Sequence, residues 1–296
     1  IAQSAARHST DTSASEPENL NALLQCGTTL RMKDASGAFS ECRNLYWLPD
    51  DSLNTDNVKT MERWFENCVS MNQNDYGIAN MSYWDTSAVT NFEYMFHNCR
   101  EFNGDLSKWN TVSAETMEGM FLDATTYGNG NSNSPLSISS WNTENVKNMK
   151  QMFNNAYSFN YDTSNWNITN VTTMYRMFDD ARRFNRALGN TESLTGDGLV
   201  GTFNDAHSFN SIGDMNNWDV SSIDSLENTF RGAISFNQPL SGWGTTEGQP
   251  DQLNSLVNMK RTFNHAWDFN QDISNWDVSS VTTLQPYFYK HLHPNY

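Results

Sequence analysis

The stretch Phe263-Asn264-His265-Ala266-Trp267-Asp268-Phe269-Asn270-Gln271-Asp272-Ile273-Ser274-Asn275-Trp276-Asp277-Val278-Ser279-Ser280-Val281-Thr282-Thr283-Leu284 decides the fold, because its pieces recur along almost the whole chain. With its first Phe as origin, the same residue stands at Phe65, Phe96, Phe121, Phe153, Phe178, Phe203, Phe230 and Phe263, at intervals of 31, 25, 32, 25, 25, 27 and 33. A period of 25 with loop insertions accounts for the series, and self-similarity at such a period marks a repeat architecture.

The columns of this repeat are chemically distinct. Three residues after the Phe the side chain is small: Cys68, Cys99, Ala124, Ala156, Ala181, Ala206, Ala233, Ala266. Six residues after it comes a large apolar side chain, nearly always aromatic, and then Asn72, Asn103, Asn160, Asn185, Asn210, Asn237 or Asn270, with Gly128 as the exception. Further on stands Trp84, Trp109, Trp141, Trp166, Trp218, Trp243 or Trp276; the unit of Phe178 has Thr191 there instead. Upstream, apolar pairs such as Val58 and Met61, Val146 and Met149, or Val171 and Met174 fall seven and four residues before the Phe. With the Phe and the small residue they trace one stripe at helical spacing. Position −8 holds Asn57, Ser113, Asn145, Asn170, Thr195, Ser222, Ser255 or Ser280, residues suited to cap a helix, with Ala88 as the exception. The pattern predicts a three-turn helix, an aromatic-Asn corner and a short strand running to Trp. Stacked, such units form an α/β solenoid of about eight to nine repeats, since one unit alone cannot bury its stripe. The Asn column is expected to satisfy backbone groups at the corners, and the Trp column to fill the core.

These residues resemble the BspA-like surface-repeat family, the leucine-rich-repeat-like units of mycoplasma lipoproteins and bacterial surface proteins. The match is most literal in 263–284 and covers about residues 44–290. The resemblance implies a curved solenoid of alternating short strands and helices. The family has no fixed functional residues, so it implies no site.

The chain has 296 residues, and 18 Lys plus Arg against 34 Asp plus Glu leave a net charge of −16. Binding to nucleic acid rests on basic groups that displace counterions from phosphate, and no basic stripe is present. Anionic membranes are disfavoured for the same reason. With 37% hydrophobic and 13% aromatic residues and a mean hydropathy of −0.67, a core must be built from large rings. No apolar run has the roughly 20 residues of a spanning helix.

The expected organisation is a tail or extended arm over 1–19, a cap over 20–43, the solenoid over 44–290 and a short tail over 291–296. The aromatic segment at Tyr287, Phe288 and Tyr289 is expected to seal the last turn or dock another chain. The first residue is Ile1, which suggests a processed chain or fragment. Cys26, Cys42, Cys68 and Cys99 lie in the first third, and sequons begin at Asn80, Asn167 and Asn170; together they lean towards an oxidising compartment. A Cys26–Cys42 bridge is expected to staple the cap. Cys68 and Cys99 occupy one register on consecutive helices. Packed helices stand about 8–10 Å apart, beyond the roughly 7 Å Cα separation a disulfide spans, so these two read as buried thiols unless the helix ends converge. Asn80 and Asn167 are the candidate glycan acceptors, while Asn170 reads as a cap.

Function in solenoids sits on surface columns or insertions. The expanded loops point to one edge, with Asn72, Asn74, Tyr76, Asn129, Asn131 and Asn133 as its candidate binding residues. Around Gly189 to Val200 the lost Trp and the pair Gly196 and Gly198 predict poorer order. His97, His207 and His265 fall at different offsets from the Phe, so they form no metal column, and the terminal His291 and His293 are weak metal evidence. Asp85, Asp219 and Asp277 follow Trp as turn residues without the spacing of a calcium loop. No nucleophile-base motif, phosphate-cradling loop or zinc pair stands out. The expectation is a non-enzymatic scaffold without cofactor, extracellular or at the cell surface, that shows an acidic face to another protein or a glycan. The alternative is a structural subunit of an extracellular or organelle-lumen assembly.

Overall fold

Alternate backbone N–H groups around the origin Phe point in different directions, and this sets the architecture. A computed structural model describes residues 36–43, 45, 55–71, 81, 84–128, 138–211, 213–244 and 252–285. In every described unit the residues at −2 and +2 from the Phe have positive φ, as at Arg63 and Asn67 (56° and 64°), Gln151 and Asn155 (55° and 58°), and Arg261 and His265 (58° and 62°). A left-handed residue reverses the chain. The result is a run of overlapping four-residue turns, closed by Trp64 N–H to Met61 O (3.3 Å), Glu66 N–H to Arg63 O (3.2 Å), Cys68 N–H to Phe65 O (3.0 Å) and Met71 N–H to Cys68 O (3.2 Å).

The intervening N–H groups leave the coil. Met61, Arg63, Phe65 and Asn67 donate to the carbonyls of Asn91, Glu93, Met95 and His97 at 2.8–2.9 Å, and the same ladder joins the following coils. An α-helix would have sent every one of these donors back four residues within its own segment. The expected leucine-rich-repeat-like solenoid of helix-plus-short-strand units is therefore corrected to a stack of turn-built coils. Among the described residues the helices with both ends described are two short 3₁₀ segments, η1 (Asp214–Asn217) and η2 (Ser241–Trp243). Strand pairing among these residues is limited to isolated parallel bridges, such as Thr60 with Asn91 and Asn91 with Thr116.

The residues expected to cap helices serve the stack instead. Ser113 Oγ, Asn145 Nδ2 and Asn170 Nδ2 donate to Ser87, Val112 and Glu144 carbonyls of the preceding coil at 2.7–2.8 Å. Three aromatic columns run through the core. The origin Phe rings, from Phe39 to Phe263, stack on their neighbours with centroids 5.2–5.8 Å apart. The +6 rings stack at 5.6–6.2 Å. The indoles of Trp84, Trp109, Trp141 and Trp166 stack at 6.3 Å. Within a coil, two successive turns bring the origin and +6 rings face to face, as for Phe153 and Phe159 at 3.7 Å.

Phe39 lies in the repeat register, with Gly37 and Glu41 at positive φ and with its N–H bonded to Trp64 O, so a coil forms within the stretch expected to be a cap. The ladder also continues through Gly189 to Val200, where Met174 N–H reaches Gly198 O (2.8 Å) and Gly196 pairs with Ile223. Glycine at 198 has a packing reason: a Cβ there would stand 2.8 Å from Thr172 O. Thr191 occupies the Trp slot, buried.

Candidate interaction face

The repeat positions are consumed by stacking. The side-chain oxygens of Asn103, Asn160, Asn185, Asn210 and Asn237 accept the backbone N–H of residues 128, 185, 210, 237 and 270 in the next coil at 2.8–3.0 Å. Trp109, Trp141, Trp166, Trp218, Trp243 and Trp276 each donate Nε1–H to a carbonyl of the coil before, at 2.7–3.1 Å. Trp84 belongs to the same column, and Asn72 lies outside the described residues. The Asp and Asn residues after Trp close their own turns, as Asp85 Oδ1 does by accepting Ser87 N–H (2.9 Å). The Ser pattern before Trp is bonded between coils, with Ser140 Oγ donating to Ser107 O (3.0 Å).

One column of exposed or half-buried side chains, at +4, runs along the stack: Arg43, Val69, Arg100, Thr125, Tyr157, Arg182, His207, Ile234 and Trp267. This ribbon contains no carboxylate, in a chain of net charge −16. The Arg182 guanidinium lies 4.6 Å from the centroid of the Tyr157 ring, fixed by Asp180 at 2.7 Å. Trp267 is 63% exposed and edges against His265 at 6.4 Å. The ribbon leaves no mark in the repeat pattern because its residues vary from coil to coil. Its legible signal was position: a turn residue next to the small +3 column has to face outward.

Beside the ribbon, carboxylates alternate with donors from neighbouring coils. His97 Nδ1 meets Glu66 at 2.9 Å, its Nε2 lies 3.6 Å from Asp123, and Asp123 also accepts from Asn155 (2.8 Å). Burial alone would pull the His97 pKa down, but the two carboxylates outweigh it and hold it above its ordinary value. Burial would raise Glu66, yet His97 and Arg63 bring it lower; Asp123 is lowered, chiefly by His97. Further along, Glu118 accepts from Tyr94 (2.7 Å) and pairs with Lys150 (3.2 Å), and Glu227 pairs with Lys260 (2.8 Å). Asp179 differs: burial pushes its pKa up to about 6, against the pull of the Asn204 amide and Arg176. The face is thus less uniformly acidic than composition suggests.

The proposed binding edge of Asn72, Asn74, Tyr76, Asn129, Asn131 and Asn133 lies outside the described residues, as do Cys26, Asn80, His291, His293 and the segment 287–290. Asn167 is exposed, and its Oδ1 accepts both the N–H and the hydroxyl of Thr169, the third residue of its sequon (3.1 and 2.8 Å). Cys42, Cys68 and Cys99 are buried free thiols. Among the described residues no three His, Cys, Asp or Glu side chains form a metal-holding group, and no helix is long and apolar enough to cross a membrane.

The repeat matches the mycoplasma protein family of unknown function DUF285 three times in tandem, over residues 33–135, 129–212 and 197–295. The chain belongs to this family. No curated protein matches it. The first DUF285 match begins ahead of Phe39, in line with the coil observed there.

Proposed function

We propose that this protein is a BspA-like surface-repeat protein, a non-enzymatic scaffold, secreted or displayed at a cell surface, whose partner is another protein or a glycan. The observation that carries this reading is the +4 ribbon. It gathers Tyr157, Arg182 and Trp267 in line on a rigid stack, and these residue types contribute most of the binding energy at interfaces. Aromatic faces also stack on sugar rings, and the flanking amides and hydroxyls offer hydrogen bonds. Residues engaged in inter-coil bonds hold the ribbon in place without taking part in recognition.

The test is to probe the intact chain on a glycan array and by native crosslinking, alongside Tyr157→Ala, Arg182→Ala and Trp267→Ala. We expect one partner class whose affinity falls at least about tenfold, ~1.4 kcal/mol, in the variants while melting temperature holds. Undiminished binding by all three variants would remove the ribbon as the site.

The structural-subunit reading draws on a different observation. The described stack ends on an apolar face with Leu284 60% exposed, beside a groove of about 430 Å³ lined by Phe263, Ile273, Trp276, Val278 and Val281. Fixed-stoichiometry copurification with crosslinks to this end, rather than to the ribbon, would support it.

A further inference from the structure

The small +3 column is Cys in its first three described coils, at Cys42, Cys68 and Cys99, and Ala from Ala124 onward. The helix reading kept Cys68 and Cys99 apart and assigned Cys42 to a cap, bridged to Cys26. The observed coils are instead bonded directly beside the column, through Glu41 N–H to Glu66 O and Asn67 N–H to His97 O, both 2.8 Å. Coils joined this way stand at strand-like spacing, about 5 Å, which lies within the roughly 4.4–6.8 Å Cα window of a disulfide. The three cysteines are not equivalent. Cys68 Sγ donates to Phe39 O in the coil of Cys42 (3.1 Å), the origin rings of these two coils stand 5.2 Å apart against 5.6 Å for the next pair, and Cys42 keeps 4% exposure where Cys68 and Cys99 have none. Cys99 Sγ makes the equivalent bond to Phe65 O (2.9 Å), so the closer coil spacing and the residual exposure of Cys42 are what favour the first pair.

We propose that Cys42 and Cys68 are a redox pair that closes an inter-coil disulfide, fastening the first described coil to the second. A glutathione-type disulfide supplies the oxidising equivalents. The Cys42 thiolate attacks one sulfur of oxidised glutathione, forming a mixed disulfide and expelling one glutathione thiolate. Cys68 gives up its proton to solvent, and its sulfur attacks that of Cys42, expelling the second. Two protein thiols become one disulfide, and one oxidised glutathione becomes two reduced. The order follows the environments. The neighbouring Cys68 thiol lowers the Cys42 pKa against the opposing effect of burial, whereas burial pushes that of Cys68 well above its ordinary value.

The test equilibrates the intact, reduced chain with oxidised and reduced glutathione at graded ratios, alkylates the remaining thiols under denaturing conditions and maps the peptides. We expect loss of two of the four thiols, a linked peptide containing Cys42 and Cys68, reversal by dithiothreitol, and slower amide exchange at Phe39 in the oxidised form. The Cys68→Ser variant should stop at a glutathione adduct on Cys42. A peptide joining Cys26 to Cys42, or Cys68 to Cys99, overturns the proposal, as do four alkylated thiols at every ratio. The wild-type map decides even where the variant does not fold.

Discussion

At the scale of single residues, the columns differ in how well their occupants fit. Tyr127 sits in the +6 column, which is Phe in most other coils, and stacks on Phe121 at 4.0 Å, but its buried hydroxyl has no protein hydrogen-bond partner. An unsatisfied buried polar group costs about 1–3 kcal/mol. Tyr127→Phe deletes only that group, so the expected result is a gain of about 1 kcal/mol, measured as a higher urea midpoint at unchanged slope. The Phe, Trp, Asn and small columns were all legible in the sequence, because each position has one chemical requirement that repeats with the coil. The Asn oxygen shows the limit of that legibility. An acceptor at a corner follows from the residue type, but its partner, the N–H of the next Asn in the column, follows only from the stacking.

At the scale of one coil, the apolar spacing fits two structures. Apolar residues at −7, −4, 0 and +3 lie on one face of a helix, and they lie equally on one side of four-residue turns that close every three residues. What distinguishes the two is the +2 column of Asn67, Asn98, Asp123, Asn155, Asp180, Asp205, Gly232 and His265, composed almost wholly of residues that tolerate positive φ. A helix has no use for such a column in mid-segment. The −2 column is mixed: Gly37, Gly119, Gly201 and Asn228 carry the same signature, whereas at Arg63, Tyr94, Gln151, Arg176 and Arg261 only the inter-coil bonds impose the conformation. Gln151, with φ 55°, offers the test. In a helix, Val would be tolerated better than Gly. In this turn the order inverts: Gln151→Gly should hold or raise stability, and Gln151→Val should cost about 1–2 kcal/mol. Denaturant melts of the two variants decide it, and the wild-type far-ultraviolet circular dichroism should lack the helical double minimum.

At the scale of the whole molecule, stability is a sum over neighbouring coils, so position in the stack matters. Phe153 packs on Phe121 and Phe178 in the flanking coils (5.5 and 5.6 Å), whereas Phe263 has only Phe230 among the described origin rings (5.5 Å). Phe153→Ala should therefore cost about 3–5 kcal/mol, and Phe263→Ala less, in parallel urea melts. Protons act on the same sum through groups that bridge coils. His97 titrates above 6.5 when folded, so its pairing with Glu66 and Asp123 contributes fully below 6.5 and is lost as pH rises through its folded value. Asp179, raised from 3.8 to about 6 by burial, also binds its proton more tightly when folded, so stability falls as pH climbs from 3.8 through 6. Glu66, Glu118 and Glu227 titrate below 4.5, and their contribution is present above 4.5 and lost as pH falls through their folded values. These opposing slopes place the stability maximum on the acid side of neutrality, between the loss of the paired carboxylates and the deprotonation of His97. Asp179→Asn keeps an oxygen for the Asn204 amide, now 2.6 Å away, and removes the buried charge. It should raise the melting temperature at pH 7 and leave it nearly unchanged at pH 4, whereas His97→Gln should flatten the decline above 6.5. Melting curves of the three proteins across that range check both signs; a wild type that grows steadily more stable up to pH 8 would contradict them.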